Sequence, residues 1–202
     1  MRTHTTRDRR TRAIRTAALI GAAALTATAA TTGSTTTAQA DGTPTQLVRA
    51  KIVANGGLRG HDAPSYYAPS AHTYPNGTRV YVNCATRGTA IEGNRTWYLL
   101  GVEGDDAWVS GRYVKVSGKP RECGPGKAWP NTVHITTKAR KGPTTQDKPG
   151  RTHYAEGEAD VSCYVDTSAS GTSRRWLLTS DNEWLPMASV GVDWELEYCF
   201  GG

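Results

Sequence analysis

The chain has 202 residues, 37% of them apolar, with 22 glycines and 10 prolines but one phenylalanine and two methionines. That length fits one or two small soluble domains, and no apolar run of about 20 residues follows the N-terminal region to span a bilayer. The formal charge of +6 invites a nucleic-acid reading, which fails once the charge is located.

Six arginines between Arg2 and Arg15 face a single acid, Asp8. A short apolar stretch, Ala17–Ala27, follows, and a threonine-rich segment leads to Ala38-Gln39-Ala40. A charged n-region, a short h-region and an A-x-A site together predict a cleaved signal peptide over residues 1–40. Arg9-Arg10 resembles a twin-arginine signal but lacks the apolar residues expected just after it, so ordinary export is expected. Removal of this leader leaves 18 Lys and Arg against 17 Asp and Glu. The basic surplus belongs to the leader, and no nucleic-acid partner is expected of the mature chain, because phosphate binding needs a concentrated cationic face.

Alternation marks the elements that follow. Val80, Val82 and Cys84 share one face against Arg79, Tyr81 and Asn83. Trp97–Leu100 reads as a second strand, Ala107–Val109 as a third, and Arg112–Val116 closes the first unit. Period two over such lengths means half-buried strands. Gly124–Pro130 is turn-rich and marks a boundary, giving a linker over 124–131 between units at 46–123 and 132–202. Beyond it, Ala159, Val161, Cys163 and Val165 share a face, and Trp176–Leu178 and Glu183–Leu185 repeat the pattern. Five short strands per unit with glycine-rich turns predict small barrels and an all-β fold.

The two units keep the same spacing. Cys84 precedes Trp97 by the same 13 residues that separate Cys163 from Trp176, and Trp108 precedes Cys123 by the same 15 that separate Trp184 from Cys199. An exported chain with four cysteines suggests disulfides, and four allow three pairings. The internal repeat selects Cys84–Cys123 and Cys163–Cys199, one bridge per unit. The spacing contains no C-x2-C knuckle, so no zinc site is expected.

From Leu58 to Cys123 the chain resembles the bacterial SH3 domain family (SH3b, the SH3_3 type), in the variant of secreted actinobacterial proteins. The residues that carry the likeness are Pro64, Tyr74-Pro75-Asn76-Gly77-Thr78, Val82-Asn83-Cys84, Gly88, Ile91, Gly93-Asn94, Trp97–Leu100, Trp108–Val114 and Cys123. The second copy is divergent: it lacks the Gly-Asn before Trp176, and Ser189 stands where the first has Tyr113. The resemblance implies two tandem SH3-like β-barrels, each with one disulfide, acting as non-enzymatic targeting or binding modules. It also implies peptidoglycan components or extracellular peptides as ligands, with a secreted or wall-associated location. The alternative is an interaction module or inhibitor acting on an extracellular protein.

No catalytic constellation stands out. His61, His72, His134 and His153 fall in expected loops or edges without metal-ligand spacing, and no cofactor or metal is expected. Glu156, Glu158 and Asp160 alternate on one expected strand face and read as solvated. The four repeated tryptophans read as core or core edge. Trp129 and Trp194 have no counterpart in the other copy, and are expected to pack the two domains together or to touch ligand. The candidate ligand-binding residues are Tyr66, Tyr67, Tyr74, Tyr98 and Tyr113, since flat rings bury area while keeping a polar tip.

Overall fold

A computed structural model describes residues 47–101, 106–169, 174–192 and 194–199. The expected leader at 1–40 lies outside them. Among the described residues every regular element is a strand or a short 3-10 turn. The first half contributes β1 (Val48–Ile52), β2 (Leu58–His61), β3 (Ser70–Tyr74), β4 (Arg79–Ile91), β5 (Asn94–Leu100), β6 (Ala107–Ser110), β7 (Val114–Val116) and β8 (Arg121–Glu122). The second contributes β9 (Trp129–Val133), β10 (Thr137–Arg140), β11 (Pro149–His153), β12 (Glu158–Asp166), β13 (Arg175–Thr179), β14 (Trp184–Pro186) and β15 (Val190–Gly191).

The first sheet runs β3-β2-β6-β5-β4-β1-β7, with β8 pairing parallel to β4; the second runs β11-β10-β14-β13-β12-β9-β15. Element for element the order is the same. The protein is all-β, built as two small barrels with one disulfide each, Cys84–Cys123 and Cys163–Cys199.

Alternation builds the cores directly. Val80, Val82 and Cys84 point inward from β4 and Ala159, Val161, Cys163 and Val165 from β12, all buried. One core packs Ala50, Ile52, Leu58, Val82, Leu100 and Val109 inside the first barrel. Another packs Val133, Ala139, Val161, Leu177, Leu185 and Val190 inside the second. The third joins them: Trp97, Trp108, Trp176 and Trp184 are at most 2% exposed and cluster with all four cysteines. The repeated tryptophans are therefore the seam between the barrels as much as the core of either.

Polar contacts lock this seam. The Trp184 indole N–H of the second barrel donates to the Arg87 carbonyl of the first at 2.8 Å. Arg95 donates to the Lys141 and Asn182 carbonyls at 3.0 and 3.1 Å. Asp62 accepts from the Thr167 hydroxyl and from the amide and hydroxyl of Ser168. A Cβ at Gly88 would lie 1.9 Å from the Pro64 carbonyl oxygen, so only glycine lets Thr89 N–H reach that oxygen at 3.2 Å.

Several expectations change. Each barrel has more strands than five, because short pairs such as β1–β7 and β2–β3 carry too few residues to show a period. Arg112 and Tyr113 lie in a 3-10 turn, Gly111–Tyr113, rather than a strand; the Ser110 hydroxyl accepts from Arg112 N–H and opens that turn. Strand β9 starts at Trp129, inside the expected linker. Pro130 is tolerated there because β15 pairs only with Val133 and Thr132, leaving the other side of β9 open at the proline. Trp129 and Trp194 stack on each other with ring centroids 4.7 Å apart, and Trp194 donates to Asn131. They tie the C-terminal segment to β9 and lie outside the cluster that joins the barrels. His72 and His153 lie on the edge strands β3 and β11, as expected, whereas His61 lies on the interior strand β2; His61 and His153 are buried. Glu156 sits in the turn before β12 with φ 66°, not on the strand.

Candidate functional site: an aromatic loop on the first barrel

Between β2 and β3 the chain makes a tight loop over residues 62–69. Its rim is aromatic and its base is polar and buried. Tyr66 and Tyr67 are 56% and 45% exposed, with rings edge to face at 5.5 Å between centroids. Directly before them, Ser65 is fully buried.

Ser65 is the hinge of the arrangement. Its hydroxyl donates to the Asp147 carboxylate of the second barrel at 2.7 Å and accepts from Tyr67 N–H at 3.1 Å. Tyr66 N–H donates to the Thr89 hydroxyl at 3.2 Å, and the same hydroxyl donates to Asp147. The Thr144 hydroxyl donates to that carboxylate at 2.8 Å. Asp147 is 1% exposed, so one buried carboxylate gathers three hydroxyls from both barrels beneath the tyrosine pair. A Cβ on Gly142 would come within 2.5 Å of that carboxylate, so glycine makes room for it. The far end of the loop closes on the Asp62 N–H to Pro69 carbonyl bond and on the His61 ring at the Ala68 carbonyl, 2.7 Å away. Burial holds the His61 pKa below its ordinary value, against the pull of that carbonyl.

The remaining candidate tyrosines belong to a different neighbourhood. Tyr74, Tyr98 and Tyr113 are half-buried and pack against the first barrel's own core. The ring of Tyr74 lies over Gly60, and that of Tyr98 over Gly111. Burial pushes the Tyr98 hydroxyl pKa up. Tyr98 also lines a groove of about 440 Å³ between the barrels, together with Thr86, Arg87, Glu122, Thr179 and Asn182. Tyr113 donates to Glu92 at 2.7 Å, and Arg112 donates to the other oxygen of that carboxylate at 2.9 Å. The Tyr113 hydroxyl, then the Arg112 charge, hold the Glu92 carboxyl below its usual range; the bond to Glu92 raises Tyr113. The structure thus brings Tyr66 and Tyr67 together and gathers Tyr74, Tyr98 and Tyr113 on the barrel core.

Thr89, Thr144 and Asp147 escaped the sequence reading. Single hydroxyls and an isolated aspartate carry no periodic signal, and the contact spans 82 residues from Ser65 to Asp147. At the equivalent loop of the second barrel, Thr145 and Gln146 stand in the places of Tyr66 and Tyr67. Among the described residues no group of three or more His, Cys, Asp or Glu side chains is placed to hold a metal ion, and no helix is long and apolar enough to cross a membrane.

No family model matches the chain, and no curated protein matches it in sequence. Solved structures similar to it include NlpC2 from Trichomonas vaginalis, 10% identical with a TM-score of 0.27 over 74% of this chain and 49% of that one. NlpC1 from the same organism is 9% identical with a TM-score of 0.26, over 76% of this chain and 48% of that one. The chain spans about half the length of these two proteins. The CBD of endolysin LysPBC5 is 11% identical with a TM-score of 0.29, over 73% of this chain and 94% of that one.

Proposed function

We propose that the protein is an exported, non-enzymatic binding protein that takes cell-wall peptidoglycan components or extracellular peptides on the Tyr66–Tyr67 loop. In this reading residues 46–123 and 132–202 are tandem modules, and only the first carries the aromatic site. One observation carries the proposal: two exposed rings stand edge to face on a loop fixed from beneath by a buried carboxylate. Rings held before ligand arrives lose little entropy on binding, and a tyrosine offers an apolar face with a polar tip to a sugar or an extended peptide. The likeness of Leu58–Cys123 to bacterial SH3 domains supports the same class of ligand, and the A-x-A leader and the two disulfides support export.

The test is cosedimentation of the secreted protein with protein-stripped peptidoglycan, beside Tyr66→Ala/Tyr67→Ala. The proposal expects the wild type to pellet and the variant to stay in solution with an unchanged melting temperature. A wild type that stays in solution overturns the wall reading and favours a protein partner.

A further inference from the structure

The outer face of β4, β1 and β7 carries charge that the fold does not explain. The register puts Lys51 of β1 directly opposite Arg79 of β4 and directly opposite Lys115 of β7. Three cations therefore stand in one row across three strands. The next row holds Tyr81, Arg49 and Ser117: Arg49 pairs with Tyr81, and Ser117 donates to the Arg49 carbonyl. All six residues are exposed and line a shallow groove of about 500 Å³. Among the described residues, none of the four cations is in an ion pair. Like charges directly opposite each other across strands are unfavourable, and among the described residues no acid on this face pairs with them.

The second barrel supplies an internal control, because it has the same strand order. In its register Thr132 stands in the place of Lys51, Glu158 of Arg79, and Gly191 of Lys115. Pro130 replaces Arg49, and Asp160 replaces Tyr81. Every cation of the first face becomes neutral or acidic on the second, so the architecture itself requires none of them. The asymmetry extends to whole modules: residues 46–123 hold ten Lys and Arg against six Asp and Glu, and residues 124–202 hold eight against ten.

We propose that this strand face is an anion-binding site for a linear phosphodiester polymer without bases, one built on polyol or sugar units. Adjacent strands lie about 4.8 Å apart and alternate residues about 6.8 Å apart, so the cations form a compact grid suited to successive charges on one chain. Arginine adds forked donors that match a phosphate. The face holds a single aromatic, Tyr81, and so lacks the succession of rings on which bases stack. It reads charge along a strand. The site is separate from the Tyr66–Tyr67 loop, which leaves β2 near the other end of the strand order.

The experiment is a salt titration of binding to poly(glycerol phosphate) by the full chain, with single-stranded DNA and uncharged dextran as parallel arms. Four phosphate contacts predict log K falling with log salt at a slope of about −3. Lys51→Thr/Arg79→Glu installs residues that the second barrel already carries on the same scaffold. It is expected to weaken binding at least tenfold and to reduce the slope to about −1.4, while near-ultraviolet circular dichroism stays unchanged. Tyr66→Ala/Tyr67→Ala is expected to leave this binding intact, which separates failure here from failure of the aromatic-loop reading. Arg59→Ala, on another strand, is a charge control that should bind as wild type. Equal binding by wild type and Lys51→Thr/Arg79→Glu overturns the proposal, as does tighter binding to DNA than to poly(glycerol phosphate).

Discussion

Asp147 is the place where stability and the candidate site meet, and Asp147→Ala tests both. The carboxylate is 1% exposed and accepts hydroxyls from Ser65, Thr89 and Thr144, two of them on the other barrel. A hydrogen bond to a charged group contributes about 1.5–3 kcal/mol, and burying the ion costs several in the opposite direction. The net loss expected on removing it is about 3 kcal/mol. For a unit of this size that lowers the melting temperature by roughly 6–12 °C. Asp147→Asn keeps one acceptor oxygen and is expected to cost about half as much. The assay is differential scanning calorimetry with a Ser65→Ala/Asp147→Ala cycle, in which a shared bond appears as coupling of about 1 kcal/mol or more. On the proposed aromatic-loop reading, loosening the base of the loop is also expected to weaken ligand binding, whereas Tyr66→Ala/Tyr67→Ala is expected to weaken binding at constant stability. A melting temperature for Asp147→Ala within about 2 °C of wild type would refute the claim that this carboxylate pins the barrels together.

Further expectations follow from the seam and the bridges. Because one buried cluster contains tryptophans and cysteines of both barrels, calorimetry should show a single unfolding transition; two resolved transitions would contradict the shared core. Trp184→Phe removes the indole donor to Arg87 and should cost about 1 kcal/mol in urea denaturation. Deleting either bridge opens a loop of 39 or 36 residues and should cost roughly 4 kcal/mol on chain-entropy grounds. His61 and His153 both have pKa values lowered below 6.5, in each case first by burial. The unfolded chain therefore binds protons more tightly at these sites. Stability is full above pH 6.5 and is lost as pH falls from there through the lowered folded pKa values. Thermal melts at pH 7 and pH 5 should differ in that direction, and replacing both histidines by Asn should flatten the difference.

The fold was legible wherever one face of a strand is buried. Val80, Val82 and Cys84 show it, as do Ala159 to Val165, because a period of two survives over a long pair. The matched Cys–Trp spacings carried the bridge pairing. Elements of two to five residues left no period to read, so β1, β3, β8 and β15 were not visible. Burial of the four tryptophans was foreseeable, but their joining of the barrels was not. A tryptophan facing its own core and one facing a neighbouring core have the same strand position. For the candidate site, the tyrosines were visible as residues, but their sorting was not. Tyr66 and Tyr67 differ from Tyr74, Tyr98 and Tyr113 through Ser65, Thr89 and Asp147, whose contacts cross from one barrel to the other. The basic strand face was hidden for a related reason: Lys51, Arg79 and Lys115 are far apart in sequence and adjacent only through the register.

The most direct test of the aromatic-loop reading is a two-dimensional amide NMR titration of the isotope-labelled protein with soluble peptidoglycan fragments. The expected result is a set of saturable shifts concentrated on Tyr66, Tyr67 and Ala68, extending to Thr89, with the second barrel's Thr145 and Gln146 unmoved. Shifts confined to the groove around Tyr98 and Asn182, or no shifts at saturating fragment, would contradict it.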